Sequence, residues 1–381
     1  MDVQPAQQPT STTHTRIQQP ADSPAAALPT ETLQLILELA LEDEEDPFER
    51  QRTRRSFSKV CYHCYSVAAS PIEYAVSSDS SARKLALKLK QSTSQHGAKV
   101  RLLAIQSSRV NGSGTVTLLE ACQNVEHLSI ELESPRTTRS GGSGAFGHDI
   151  YAAMKHLRRI RVLEFLGCAH ITRQVVAEMV ENRSALQFLR IHATVERPQC
   201  VLPWEAPTPS VAALRHLDIS GDVELARALL PHLAPFRTTF SLIVRRDPLP
   251  DSGVGSLLLP FAPHVHDFAA PDGWLWSSTL RSLLLNMKNV HTLELHHSII
   301  KDAHLVLKLH PLAKLRELII VGVATSAEDC AGLHVEWLLS HLSPFFERLR
   351  LPRQLAQLWT AAETKTVEDR AEQSQFEFVW T

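Results

Sequence analysis

The sequence predicts an α/β chain in which a short N-terminal helical module precedes an irregular repeat solenoid of parallel strands and helices. Three observations carry that prediction. A Leu-rich phrase returns about every 25 residues from residue 100 onward, helix-period stretches separate its copies, and residues 28–70 form an isolated segment of helical periodicity ahead of it.

Residues 1–27 are rich in Gln, Pro, Ser, Thr and Ala and offer too little apolar surface to fold, so they read as a disordered tail. Pattern begins at Leu28. LPTETLQLILELALED places Leu33, Ile36, Leu37 and Ala40 at helical spacing with Leu41 beside them, and Thr30 is the candidate N-cap. An acidic run (Glu42 to Asp46) and a basic one (Arg50, Arg52, Arg54, Arg55) read as a solvated loop and helix start. SFSKVCYHCYSVAAS then reads as a second helix with Phe57, Val60, Cys61, Cys64, Val67 and Ala68 on one broad face, stopped by Pro71. The 43 residues from Leu28 to Ser70 are too few to stabilise themselves readily, so two short helices with wide apolar faces predict docking onto something else.

The repeat phrase is apolar, two variable, apolar, one variable, apolar. It occurs at Val100–Leu103–Ile105, Val125–Leu128–Ile130, Ile160–Leu163–Phe165, Leu186–Leu189–Ile191 and Leu214–Leu217–Ile219. It returns at Val290–Leu293–Leu295, Leu315–Leu318–Ile320 and Phe346–Leu349–Leu351, with weaker copies around Leu242 and Phe268. The central positions are therefore 103, 128, 163, 189, 217, 242, 268, 293, 318 and 349, most of them 25 or 26 apart, within the period of leucine-rich repeats. Between copies, VELARALLPHL and STLRSLLLNMKN put Leu225, Leu229 and Leu233, and Leu280, Leu283, Leu284 and Met287, at helical spacing. Each repeat is then a strand and a helix that bury their apolar faces only by stacking, which assigns residues 71–351 to a leucine-rich-repeat solenoid and 352–381 to a C-terminal cap or tail.

Strand alternation turns Ser129, Glu164, Arg190, Asp218, Glu294 and Arg350 away from the core, flanked by His127, His192, His216, His296 and Arg348. These are the candidate substrate-binding residues, on what would be the concave face, with Arg190, Asp218 and Glu294 expected near one another as surface charges.

Other chemistry is not called for. A net charge of -2 gives no basic stripe for nucleic acid, and no stretch approaches a membrane span. The first twenty residues hold no apolar run, so no secretory leader is expected. Six scattered cysteines predict a reducing compartment, cytoplasmic or nuclear. GSGAFG (142–147) satisfies Gly-x-Gly-x-x-Gly but lies in the long interval between two repeats, as an inserted loop rather than a strand-to-helix turn. Cys61, His63 and Cys64 lack the second ligand pair of a structural zinc site, and SGVGS (252–256) lacks a central nucleophile. No enzyme, cofactor or metal is expected.

LPTETLQLIL resembles the opening of the F-box, and VCYHCYSVA resembles its later Val-Cys-x-x-Trp-x-x-Leu-Ala phrase, with Cys64 where the family has Trp. With the repeats behind it, the chain resembles the F-box proteins with leucine-rich repeats that are common in fungi. The resemblance implies a substrate adaptor of a cullin ubiquitin ligase, its F-box bound to a Skp-type adaptor and its repeats to a protein substrate. It would place Leu28, Pro29, Leu33, Ile36, Val60 and Cys61 against that adaptor. The competing expectation is a repeat scaffold with a vestigial F-box, outside any ligase.

Overall fold

The computed structural model describes residues 24–42, 44, 46–68, 72–91, 96–107, 112–132, 148–167, 170–171, 180, 183–192, 194–195, 214–220, 223–230, 233, 240–245, 254–272, 277–299, 312–322 and 343–381. The chain divides into two units, Met1–Pro71 and Ile72–Thr381. Residues 1–23 and the Gly-rich insert at 142–147 lie outside the described residues.

Among the described residues the first unit holds three α-helices where two were expected: α1 (Thr30–Glu42), α2 (Pro47–Ser58) and α3 (Tyr62–Ala68). The extra helix has a local cause. Asp46 accepts a hydrogen bond from the Phe48 N–H at 2.9 Å and Pro47 presets the first helical turn, so the charged run becomes a helix. From it Arg50 reaches back and donates to the carbonyls of Leu41 at 2.7 Å and Glu44 at 3.2 Å, capping the end of α1. Because α2 stops at Ser58, Phe57 and Cys64 belong to different helices and the single broad face does not form. Pro24–Ala27, placed in the tail by composition, make a 3-10 turn against α3. Leu33, Leu37 and Leu41 form one buried stripe of α1, joined by buried Cys64.

Among its described residues the second unit builds a twelve-stranded sheet in which every neighbouring pair is parallel. Its strands begin with β1 (Glu73–Val76), β2 (Leu102–Ser107), β3 (His127–Leu132), β4 (Val162–Gly167), β6 (Phe188–Ile191) and β8 (His216–Ser220). They continue with β9 (Phe240–Arg245), β10 (Val265–Ala270), β11 (Thr292–His296), β12 (Glu317–Val321), β13 (Arg348–Leu351) and β14 (Glu377–Trp380). Two short strands, β5 (His170–Ile171) and β7 (Thr194–Val195), pair as a separate ribbon. Strand order follows chain order throughout, so each crossover places its strand beside the last one made.

The ten central positions are direct cross-strand partners from Leu103 to Leu349, and the register shift between Val265 and Asp267 in the β9–β10 pair falls just ahead of its central pair. Tyr74 extends that column at one edge and Phe378 at the other. The central residues from Leu103 to Leu349 are almost wholly buried, as are Ile105, Ile130, Phe165, Ile191, Ile219, Leu295, Ile320 and Leu351 two positions on.

Helices α4 (Asp79–Gln91), α5 (His96–Lys99), α6 (Ser113–Ala121), α7 (His148–Met154), α8 (Val223–Leu229), α9 (Val254–Leu258) and α10 (Ser277–Asn286) lie between strands. Their buried residues join the strand leucines in one core: Ala82, Leu118, Met154, Leu225, Leu258 and Leu283 among them. Neighbouring repeats also cap one another. Gly112 has no side chain to cap α6, and Asp79 of α4 supplies the missing acceptor to the Thr115 N–H at 2.9 Å. Gly114 permits that approach: a β-carbon there would stand 2.2 Å from the Asp79 carbonyl oxygen. Arg183 is buried and donates to the carbonyls of Leu157 (2.8 Å) and Met154 (3.1 Å) at the end of α7.

The segment read as a cap or tail supplies α11 (Arg353–Leu358), α12 (Ala361–Ser374) and the twelfth strand. Thr360 and Glu363 form a reciprocal capping box at the start of α12, and Gln375 ends it in the left-handed region at φ 56°.

Candidate functional site

With one face of the sheet buried, the other presents the residues between the ladder leucines. Ser129, Glu164, Arg190 and Asp218 are successive cross-strand partners on β3, β4, β6 and β8. His192 follows two residues after Arg190 on the same face, and Arg245 pairs with Ser220 at the end of β9.

These side chains form a continuous charge network. His127 Nε2 lies 3.1 Å from Glu164 Oε2, and Arg190 Nη1 donates to Glu164 Oε1 at 2.8 Å. Arg190 Nε donates to Asp218 Oδ2 at 2.9 Å. The other Asp218 oxygen lies 2.8 Å from His192 Nε2 and 3.1 Å from Arg245 Nε. Arg245 continues to Asp272, 3.7 Å away. Phe188 flanks the network on the same face: its ring stacks on His216 at 4.2 Å, and the Arg190 guanidinium lies 5.3 Å from its centre.

The electrostatics of the two carboxylates follow from that arrangement. Burial pushes both upward, yet His127 with Arg190 holds Glu164 below its ordinary value, and His192 with Arg245 does the same for Asp218. Glu294 has no such compensation, and burial raises it despite Arg245. Burial lowers His216 and His296, the latter helped by neighbouring His297.

The expected site is thus corrected in two places. Asp218 is not a surface charge: it is 0% exposed and sits beneath the cations it binds. Glu294 is not beside it, since β9 and β10 lie between β8 and β11, a separation of about 14 Å at the usual strand spacing. His127, Ser129, Glu164, Arg190 and His216 are half-buried on the open face. His296 and Arg350 are also half-buried, but they belong to other neighbourhoods. His296 adjoins His297, where Gly322 at φ 99° gives the rings room. Arg350 pairs with Glu317 at 2.9 Å, and Arg348 with Glu377 at 2.5 Å.

Arg245, Asp272 and the His266–His291 pair, whose rings stack 4.0 Å apart, were absent from the candidate list. Arg245 had a signal: it stands three residues after Leu242, as His192 stands three after Leu189 and His296 three after Leu293. A pocket of about 340 Å³ opens beside the histidine pair, lined by His266, His291, Thr292, Arg316, Glu317, Glu347 and Arg348. Among the described residues no group of three or more His, Cys, Asp or Glu side chains is placed to hold a metal, and no helix is long and apolar enough to cross a membrane.

In the first unit, Leu28, Ile36 and Val60 are exposed at 38%, 42% and 44%, Pro29 is exposed and Cys61 half-buried. Leu33 is the exception. At 1% exposure it faces the interior of its own module and has no surface to give a partner. Residues overlooked in the sequence complete the exposed set: Leu35, Leu39, Tyr62 and Tyr65 are each more than half exposed.

No family model matches the chain, and no curated protein matches it.

Proposed function

We propose that this chain is the substrate-holding, non-catalytic adaptor of a cullin ubiquitin ligase, in which α1–α3 dock a Skp-type adaptor and the open face of the sheet binds a protein substrate. The observation that carries the docking half is the second apolar side of α1. Leu33, Leu37 and Leu41 are buried, while Leu35, Ile36 and Leu39 are exposed at 56%, 42% and 58%. A helix apolar on both sides leaves one of them for a partner. Exposed Val60, Tyr62 and Tyr65 add to the same unit's apolar surface, and the F-box resemblance of LPTETLQLIL and VCYHCYSVA gives the partner's class. The substrate half rests on the charge network. Mixed charges held in fixed geometry suit a polar protein surface, where complementarity sets specificity more than raw affinity.

Replacing Leu35 and Leu39 with Ser tests the docking surface. Both are exposed, so urea-unfolding midpoints should hardly move. Binding to a purified Skp-type adaptor should weaken by about tenfold or more for each leucine that is a central contact. Titration calorimetry on folded wild type and variant decides the matter; equal affinities would refute docking through this face of α1.

A further inference from the structure

Cys61 and Cys64 carry thiol chemistry in the first unit that goes beyond the apolar contacts of the docking proposal. They stand in a Cys-x-x-Cys sequence, with Cys61 in the turn before α3 and Cys64 within it. Their sulfurs are 3.4 Å apart, and the Cys64 backbone N–H donates to Cys61 Sγ, also at 3.4 Å. The two sites differ in the way a directional dithiol requires. Cys61 is half-buried, between exposed Val60 and Tyr62, whereas Cys64 is 1% exposed. A disulfide needs about 2.05 Å between sulfurs, so closure asks for an approach of little more than an ångström.

We propose that Cys61 and Cys64 are a modification site, a dithiol that a peroxide oxidises to a reversible disulfide, with Cys61 attacking first and Cys64 resolving. The Cys61 thiolate attacks one oxygen of hydrogen peroxide, the O–O bond breaks, and the second oxygen leaves as water after taking a proton. Cys61 is then a sulfenic acid. The Cys64 sulfur attacks Cys61 Sγ, the S–O bond breaks, and the departing hydroxide leaves as water with the Cys64 proton. Two thiols have become one disulfide and one peroxide two waters; a dithiol reductant reverses the change by exchange. The order of attack follows from access and acidity. The hydrogen bond from the Cys64 N–H draws the Cys61 thiol below its ordinary value, while burial raises Cys64 to about 11. Cys122 shows the contrast within the chain: fully buried in the repeat unit and pushed up to about 12, it is shielded from such chemistry. In a reducing compartment a dithiol of this kind is oxidised transiently, as a sensor. The chain is tested without an adaptor, so the outcome is distinct from that of the docking proposal.

Peptide mapping of the full reduced chain after graded hydrogen peroxide tests the assignment. The peptide carrying both cysteines should lose two hydrogens and its reactivity to alkylation, and dithiothreitol should restore both. In Cys64→Ser the sulfenic acid should persist on Cys61 and be trapped by dimedone. In Cys61→Ser oxidation at Cys64 should be about tenfold slower or more. Wild-type chain whose Cys61 and Cys64 both remain alkylatable at peroxide doses that oxidise free cysteine would overturn the proposal. So would Cys61 recovered paired to a different cysteine, a result readable in wild type even if a variant fails to fold.

Discussion

Asp218→Ala is expected to destabilise the repeat unit by about 3 kcal/mol at neutral pH. Removing one partner of a buried ion pair typically costs roughly 3–5 kcal/mol, because the other partner keeps its charge without compensation. The lower end applies here, since Arg190 and Arg245 are 30% and 32% exposed and recover part of their hydration. The pH dependence has a definite sign. Asp218 and Glu164 are both held below their ordinary values, so their contribution is present above about pH 4.5 and lost as pH falls through the depressed values. Urea titrations should therefore show a large gap between wild type and Asp218→Ala at pH 7 that narrows as the wild-type carboxylate protonates. Adding Arg190→Met should restore part of the loss, because it removes one of the stranded charges. Equal stability of Asp218→Ala and wild type at pH 7 would mean that the carboxylate does not hold these cations. The same geometry makes Asp218→Lys a disruption of the fold rather than a probe of the binding surface.

Leu217→Ala and Leu293→Ala should each cost about 2–5 kcal/mol, the usual range for a truncated core leucine. Both are 0% exposed and sit in the central column, with a cross-strand partner on either side, so neither cavity closes without shifting a neighbouring repeat. Losses below about 1 kcal/mol at both positions would contradict the register.

That register was legible because it is a packing requirement repeated ten times: a Leu at nine centres and Phe268 at the tenth, a strand-period partner two residues on, and one buried face. The end strands were not, for a chemical reason. Their phrases begin with Pro71 and Gln375, where the eight full copies carry an aliphatic or aromatic residue, so the template fails although Tyr74 and Phe378 occupy the column. Helix α2 was partly hidden because five of its twelve residues are charged, and its evidence is the Asp46–Pro47 start rather than an apolar stripe. In the site, alternation identified Glu164, Arg190 and Asp218 as face residues. It did not reveal that Asp218 would be covered, because depth on a sheet face depends on how far the neighbouring arginines and histidines reach across strands. Leu33 and Ile36 show the same limit on α1: helical spacing puts both on one apolar face, and only the packing of the module decides that Leu33 is inside and Ile36 outside.

The central claim is that one unit docks a ligase while the other holds a substrate, and affinity purification from cells tests it most directly. The intact chain should recover a Skp-type adaptor, a cullin and at least one further protein. A chain lacking residues 28–71 should lose the adaptor and the cullin together and retain the further protein. Absence of adaptor and cullin from the intact chain's purification, or their equal recovery with the shortened chain, would contradict the account.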